Sequence, residues 1–254
     1  MERSLVNSES WSSLTEWTSA RIALGRAGVS LPTRPLLDFT MDHARARDAV
    51  HAVLDLATLS TQLHEQGFIA KQAASRAKDR SEYLRRPDLG RQLHPDCVAS
   101  LRQEEAPSIR RITIVVADGL SALAPTLHAL PMLVRLREAL PDWELDPVLA
   151  TQARVALADD IGELRRAQLS LIFIGERPGL KSPDSLGAYL TYGPRRGRTD
   201  AERNCVSNIR PAGLSYDEAA FRLAHLIQSA YALGASGTQL KDDSDAIPPM
   251  LEST

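Results

Sequence analysis

Arg111-Ile112-Thr113-Ile114-Val115-Val116-Ala117 is a short β-branched run closed by Asp118-Gly119. It reads as a buried strand that ends in a turn. Leu169-Ser170-Leu171-Ile172-Phe173-Ile174 is the most apolar strand candidate of the chain, and it runs straight into Gly175-Glu176-Arg177-Pro178-Gly179-Leu180. Between the two lie a helical stretch over 123–140, a strand near 144–150 and a helix face marked by Leu157, Ile161 and Leu164. Pro131 falls inside the first of these helices, so a kink or a break into two shorter helices is expected. Strand, helix, strand, helix, strand predicts an open, largely parallel sheet with helices on its faces. In such sheets ligands sit off the carboxyl ends of the strands. That rule selects three loops: Asp118-Gly119, residues 151–155 and residues 175–180.

Outward from this centre the signals are weaker. Strands are predicted over 188–192 and 205–209. Ser215 and Glu218 have the spacing of a capping box. Ala219, Leu223, Leu226, Ile227 and Ala230 form the apolar stripe of the helix that follows, and Gly234 can end it. A polar tail with Pro248-Pro249 comes after it and is expected to be loose. Toward the N-terminus, residues 21–105 read as helical. Leu36, Phe39, His43, Ala46, Val50, Val53 and Leu54 recur at spacings of three and four, and Pro35 suits a helix start. A second helical run is predicted over 70–84, stopped by Pro87, and no strand is expected in this part. Residues 1–20 are polar, with Trp11 and Trp17 as docking candidates. The character changes near Pro107, which divides the chain into an N-terminal helical region, 1–106, and an α/β region, 107–254.

Length and composition narrow the function. At 254 residues with 43% apolar side chains, the chain can bury a full core. A net charge of −2 argues against a strongly basic nucleic-acid binder or a polybasic membrane protein. No stretch reaches the roughly 20 apolar residues of a membrane span. Cys97 and Cys205 could pair, yet no secretory signal precedes them, so a reduced, cytoplasmic setting is expected.

Most catalytic motifs are missing. There is no dinucleotide fingerprint, no Walker-type loop and no nucleophile elbow. The six histidines are scattered and build no metal-ligand set. The motif Asp-x-His-x-x-Gly is absent as well. Asp118-Gly119-Leu120-Ser121 reads as a turn and helix cap rather than a nucleophile. Glu176 stands at the ligand edge on a loop that Pro178 and Gly179 restrict; by residue type alone it reads as a loop salt bridge. Cys205 reads as a small buried hydrophobe, and Val155 as core at the start of a helix. Arg195, Arg196, Arg198 and Arg203 read as a solvated loop or a protein contact.

Five segments together carry more than any one of them. Gly25-Arg26-Ala27-Gly28, Tyr83-Leu84-Arg85-Arg86-Pro87-Asp88-Leu89-Gly90-Arg91, Asp118-Gly119-Leu120-Ser121, Gly175-Glu176-Arg177-Pro178-Gly179-Leu180 and Cys205-Val206-Ser207-Asn208-Ile209 occur in this order. In this the chain resembles the small (light) subunit of ethanolamine ammonia-lyase, over residues 21–227. The resemblance implies an α/β, Rossmann-like, largely parallel sheet with flanking helices behind an N-terminal helical region that packs on a large subunit. It implies a hetero-oligomer in which adenosylcobalamin is held between the two subunits, with no nucleic acid and no membrane. The large subunit would carry the substrate pocket for radical conversion of ethanolamine to acetaldehyde and ammonia, so this chain would be a lyase subunit without catalytic residues of its own. Val155, Glu176 and Cys205 are the cobalamin contacts that the motifs imply, with no metal ligand. The short stretch before Arg21 departs from the longer leader of relatives that enter bacterial microcompartments. The cytoplasm is therefore the expected location, with a microcompartment as the alternative. A non-enzymatic assembly module of the same fold, docking through its arginine loop and helical arm, is the rival reading.

Overall fold

The structure, a computed structural model, describes residues 11–18, 20–105 and 110–244. The polar tail with Pro248-Pro249, the break at Pro107 and the first ten residues lie outside them. In chain order the elements are α1 (Thr33–His51), α2 (Leu56–Glu65), β1 (Lys71–Ala74), α3 (Arg80–Arg85), α4 (Pro87–Gly90), α5 (Val98–Leu101), β2 (Arg110–Ala117), α6 (Leu123–Ala139), β3 (Trp143–Thr151), α7 (Leu157–Leu164), β4 (Leu169–Gly175), β5 (Leu186–Tyr192), β6 (Arg203–Ile209) and α8 (Tyr216–Leu233).

Six strands form one sheet in the order β1-β3-β2-β4-β5-β6. The pairings among β1, β3, β2 and β4 are parallel; β5 and β6 add on antiparallel. Val115 in the central strand faces Val148 on one side and Ile172 on the other. Successive strand residues point to opposite faces, and here both faces are covered. Ile112, Ile114, Val116, Leu171 and Phe173 pack with α6 and α8. Val115, Ala117, Val148, Ile172 and Ile174 pack with Leu157 and Ile161 of α7. This double burial explains why β2 and β4 are continuous apolar runs rather than alternating ones.

The strands predicted over 144–150, 169–174, 188–192 and 205–209 are all present, as β3, β4, β5 and β6. The capping box at Ser215 and Glu218 is formed in both directions, and Gly234 takes the left-handed conformation that closes α8.

Three expectations are corrected. Residues 70–84 are not one helix: Lys71–Ala74 is the edge strand β1, parallel to β3 from Lys71↔Val148 to Ala74↔Thr151. Lys, Gln and Ala favour helix, but the free edge of β3 supplies a ladder of hydrogen bonds that outweighs local propensity. Only Arg80–Arg85 is helical there, capped by Asp79, whose carboxylate accepts the Glu82 N–H at 2.8 Å. Next, of the two outcomes expected at Pro131, the break into two shorter helices is not seen: α6 runs as one helix from Leu123 to Ala139. The carbonyl it leaves unpaired belongs to Leu127, on the solvent side, while Ala124, His128, Met132, Leu133 and Leu136 hold the helix against the core.

The arginine loop, finally, is not simply solvated. Arg203 forms a buried bidentate pair with Asp159, at 2.8 and 2.7 Å, and Arg196 reaches Asp160 at 2.8 Å. Both carboxylates stand in the first turn of α7, so these arginines tie the loop before β6 to that helix.

Candidate functional site

The carboxyl ends of β2, β3 and β4 meet where the helices change sides, α6 on one face of the sheet and α7 on the other. All three loops singled out in the sequence converge there. The convergence is close because two residues are glycine. A Cβ on Gly119, whose φ is +55°, would lie 2.3 Å from the Gly175 carbonyl oxygen; one on Gly175 would lie 1.9 Å from that of Ser121. The Leu120 N–H donates to the Gly175 carbonyl at 2.8 Å and locks the two exits together.

Asp118 is the clamp of this edge. Its carboxylate accepts the N–H groups of Gly119 and Gln152 at 2.9 Å and of Ala153 at 3.1 Å. It thus fixes the path of the chain from β3 to Val155. Burial pushes the Asp118 carboxyl up, against the three N–H bonds and Arg80 at 3.6 Å, which act in the opposite sense. The helix-cap reading of this segment is corrected, since α6 has no side-chain cap.

Tyr83 lies beneath, fully buried, with its hydroxyl donating to the Ala153 carbonyl at 3.0 Å. Burial pushes that hydroxyl up to about 12. The guanidinium of Arg80 is 4.8 Å from the Tyr83 ring centroid and that of Arg154 is 4.3 Å from it.

Glu176 leaves β4 at the rim. Its own N–H donates to the Ser185 carbonyl at 2.9 Å. The Ser185 hydroxyl and, at 3.4 Å, the Asn208 N–H donate to its Oε2. Among the described residues Oε1 accepts nothing, and no basic side chain pairs with the carboxylate, so the salt-bridge reading is corrected. The side chain lies over Gly187, where a Cβ would come within 3.0 Å of Oε1. Tyr189, two residues further along β5, stands in register with Cys205 on β6. Cys205 is exposed rather than buried. The atoms packed around its sulfur push the thiol up, and the Glu176 charge adds to this. Burial likewise pushes the Tyr189 hydroxyl well up.

Together these groups bound a cleft of about 400 Å³, lined by Tyr83, Arg154, Val155, Glu176, Arg177 and Tyr189 among others. Val155 is half-buried in it, two residues before α7 begins. Cys205 does not line the cleft but flanks Tyr189, which does. Val155 and Glu176, singled out in the sequence, both line the cleft; Arg154 and Tyr189 line it too and were not singled out there. Arg154 immediately precedes Val155 in a loop already selected, which was the available signal. Tyr189 alternates with apolar residues in a strand and gave none. Among the described residues no three His, Cys, Asp or Glu side chains group as a metal site, and no helix is long and apolar enough to cross a membrane.

The family described as "Ethanolamine ammonia-lyase light chain (EutC)" matches residues 8–241. The chain belongs to this family. It is 55% identical over 240 residues to a protein of Pseudomonas aeruginosa named ethanolamine ammonia-lyase small subunit, with 92% of this chain and 88% of that one covered. Proteins of the same name from Azotobacter vinelandii and Ralstonia nicotianae are 52% and 50% identical, covering 96% and 98% of this chain and 92% and 93% of theirs. Of the five segments that carried the resemblance to this family, four contribute to the cleft or its flank: those of Tyr83, Asp118, Glu176 and Cys205. The fifth, Gly25-Arg26-Ala27-Gly28, forms a separate tight turn bridged to Ser30.

Proposed function

We propose that this chain is the small subunit of ethanolamine ammonia-lyase and that its cleft holds one edge of adenosylcobalamin against the large subunit. The observation that carries the reading is Oε1 of Glu176, at the ligand edge of the sheet and without a hydrogen-bond or basic partner among the described residues. Cobalamin is rimmed with neutral amide side chains, and a carboxylate oxygen is a strong acceptor for their N–H groups. Val155 and Cys205 would offer small apolar surface to the corrin edge and the nucleotide.

The fit is partial in an informative way. Clefts of roughly 300–1,000 Å³ enclose a drug-sized molecule. At about 400 Å³ this one can take only an edge of a corrinoid. A second chain would have to cover the rest, in keeping with the name small subunit carried by the relatives. When bound, the cofactor supplies the radical chemistry that converts ethanolamine to acetaldehyde and ammonia. This chain's residues bind and orient. The hydroxyls of Tyr83 and Tyr189 and the thiol of Cys205 are all held up in their neutral forms, so none of these three is tuned to move a proton near neutral pH.

The N-terminal region, 1–106, would dock on the large subunit and lend Tyr83 to the cleft, with 107–254 supplying the rest of the cofactor-holding part. Leu36, Leu37, Phe39 and Met41 of α1 are exposed, apolar side chains that a subunit interface would cover. The setting proposed for the complex is the cytoplasm, with a bacterial microcompartment as the alternative.

The test is reconstitution. The purified chain should show no deaminase activity, and adding the large subunit with adenosylcobalamin should produce it. A folded chain that fails to restore activity, or a large subunit fully active without it, sinks the reading.

A further inference from the structure

The cleft holds more positive charge than its own residues neutralise. Arg154 follows β3, and its stem is seated: its N–H donates to the Gly90 carbonyl at 2.8 Å, and a Cβ on Gly90 would strike Arg154 Cγ at 2.9 Å. Its guanidinium lies on the Tyr83 ring and, among the described residues, donates only from Nη2, to the Tyr83 carbonyl at a long 3.4 Å. The Nε of Arg154 is buried without a partner, and no carboxylate pairs with this side chain among the described residues. Arg80, whose guanidinium also lies 4.8 Å from the Tyr83 centroid, is paired with Asp118 but keeps a buried, unpartnered Nη2. Arg177 lines the same cleft, exposed, with no hydrogen bond or ion pair among the described residues.

Leaving a guanidinium half-desolvated with no counter-charge is unfavourable. The arrangement becomes favourable once a ligand brings the anion. A planar fork that stacks on an aromatic ring and presents free N–H groups is suited to a phosphate group, which accepts two parallel bonds. The positive end of the α7 dipole, two residues beyond Val155, adds in the same sense.

We propose that Arg154, backed by Arg80 and assisted by Arg177, forms an anion subsite for a phosphodiester. Resting on the corrinoid reading above, the phosphodiester is that of the nucleotide tail of cobalamin. β3 and β4 flank β2 on either side, so the exits that carry Arg154 and Glu176 are about 10 Å apart. The cleft therefore has a cationic side and an acceptor side. A ligand carrying one phosphodiester and a rim of amides complements both.

The test compares two corrinoids on the reconstituted complex of small and large subunits. Cobalamin carries the phosphodiester; cobinamide lacks it along with the nucleotide. Dissociation constants are read by absorbance titration, with melting temperatures alongside. Arg154→Ala should weaken cobalamin binding about tenfold or more, the scale of a lost charge-assisted pair, and leave cobinamide binding as it is in the wild type. Arg177→Ala, at an exposed position, should act in the same direction with a smaller loss and serves as the readout if Arg154→Ala does not fold. Inorganic phosphate should compete with cobalamin on the wild-type complex and lose that effect in the Arg154 variant. Equal losses for both corrinoids, or unchanged cobalamin binding in both variants, overturns the subsite while the corrinoid reading stands. A wild-type complex that binds neither corrinoid overturns both.

Discussion

α1 and α8 are helices of similar length, 19 and 18 residues, and both carry apolar residues at helical spacing. In α8 the stripe Ala219, Leu223, Leu226, Ile227 and Ala230 is buried against the sheet and α6. In α1 only Ala49 is buried, while Leu36, Phe39 and Met41 stay exposed. α1 is held by polar contacts instead: Asp42 at its middle pairs with Arg21, and the Val50 carbonyl near its C-terminal end accepts from Arg80 Nε at 2.7 Å. The two helices teach that period 3.6 reports a face and says nothing of which chain covers it.

Four sets of substitutions would break or sharpen this contrast. Leu226→Ala, in the covered stripe, should cost about 2–5 kcal/mol in urea unfolding of the isolated chain; a loss within the noise would mean that α8 is not core. The pair Phe39→Ala and Met41→Ala should leave that stability within about 0.5 kcal/mol. The same pair should weaken binding to the large subunit by about 2 kcal/mol, measured by calorimetry. If it unfolds the chain instead, α1 packs on its own chain and the contrast fails.

Glu176→Ala probes a group that, like the α1 face, points outward. It should weaken cobalamin binding to the complex by about 1 kcal/mol without lowering the melting temperature. A drop in melting temperature with no change in affinity would make Glu176 a structural residue. Tyr83, buried like the α8 stripe, offers the smallest effect. Its hydroxyl is pushed from 10 up to about 12 by burial, so between those values the unfolded chain releases a proton that the folded chain keeps. Stability should therefore fall as pH rises through that window, by about 1 kcal/mol at pH 11 from this group. Tyr83→Phe should flatten the decline in urea midpoint between pH 10 and 11.5; an unchanged slope would assign it to other groups.

Some of the site was legible before any coordinates. Runs of β-branched residues ending in Asp118-Gly119 and Gly175-Glu176 mark strand exits, because only strands buried on both faces are apolar without alternation. The ligand-edge rule then selected the loops of Val155 and Glu176, and the cleft lies there. Lys71–Ala74 was not legible, since a four-residue edge strand of helix-favouring side chains exists only because β3 offers it a ladder. Nor was the internal pairing of Arg203 with Asp159, 44 residues apart.

What the sequence determined by itself is local or repetitive: strand and helix periods, the α8 cap and stop, and the motifs that place the chain in its family. These depend on side chains a few positions apart, so the physics is written in the order of residues. The tertiary structure alone decided which groups share a space. Asp118 clamps a loop 34 residues away through Gln152, and Arg154 meets Tyr83 across 71. Among the described residues the carboxylate of Glu176 is left with one unbonded oxygen, because Ser185 and Asn208 occupy only the other. Such satisfactions and vacancies depend on where the chain returns in space, and no spacing along it records that return.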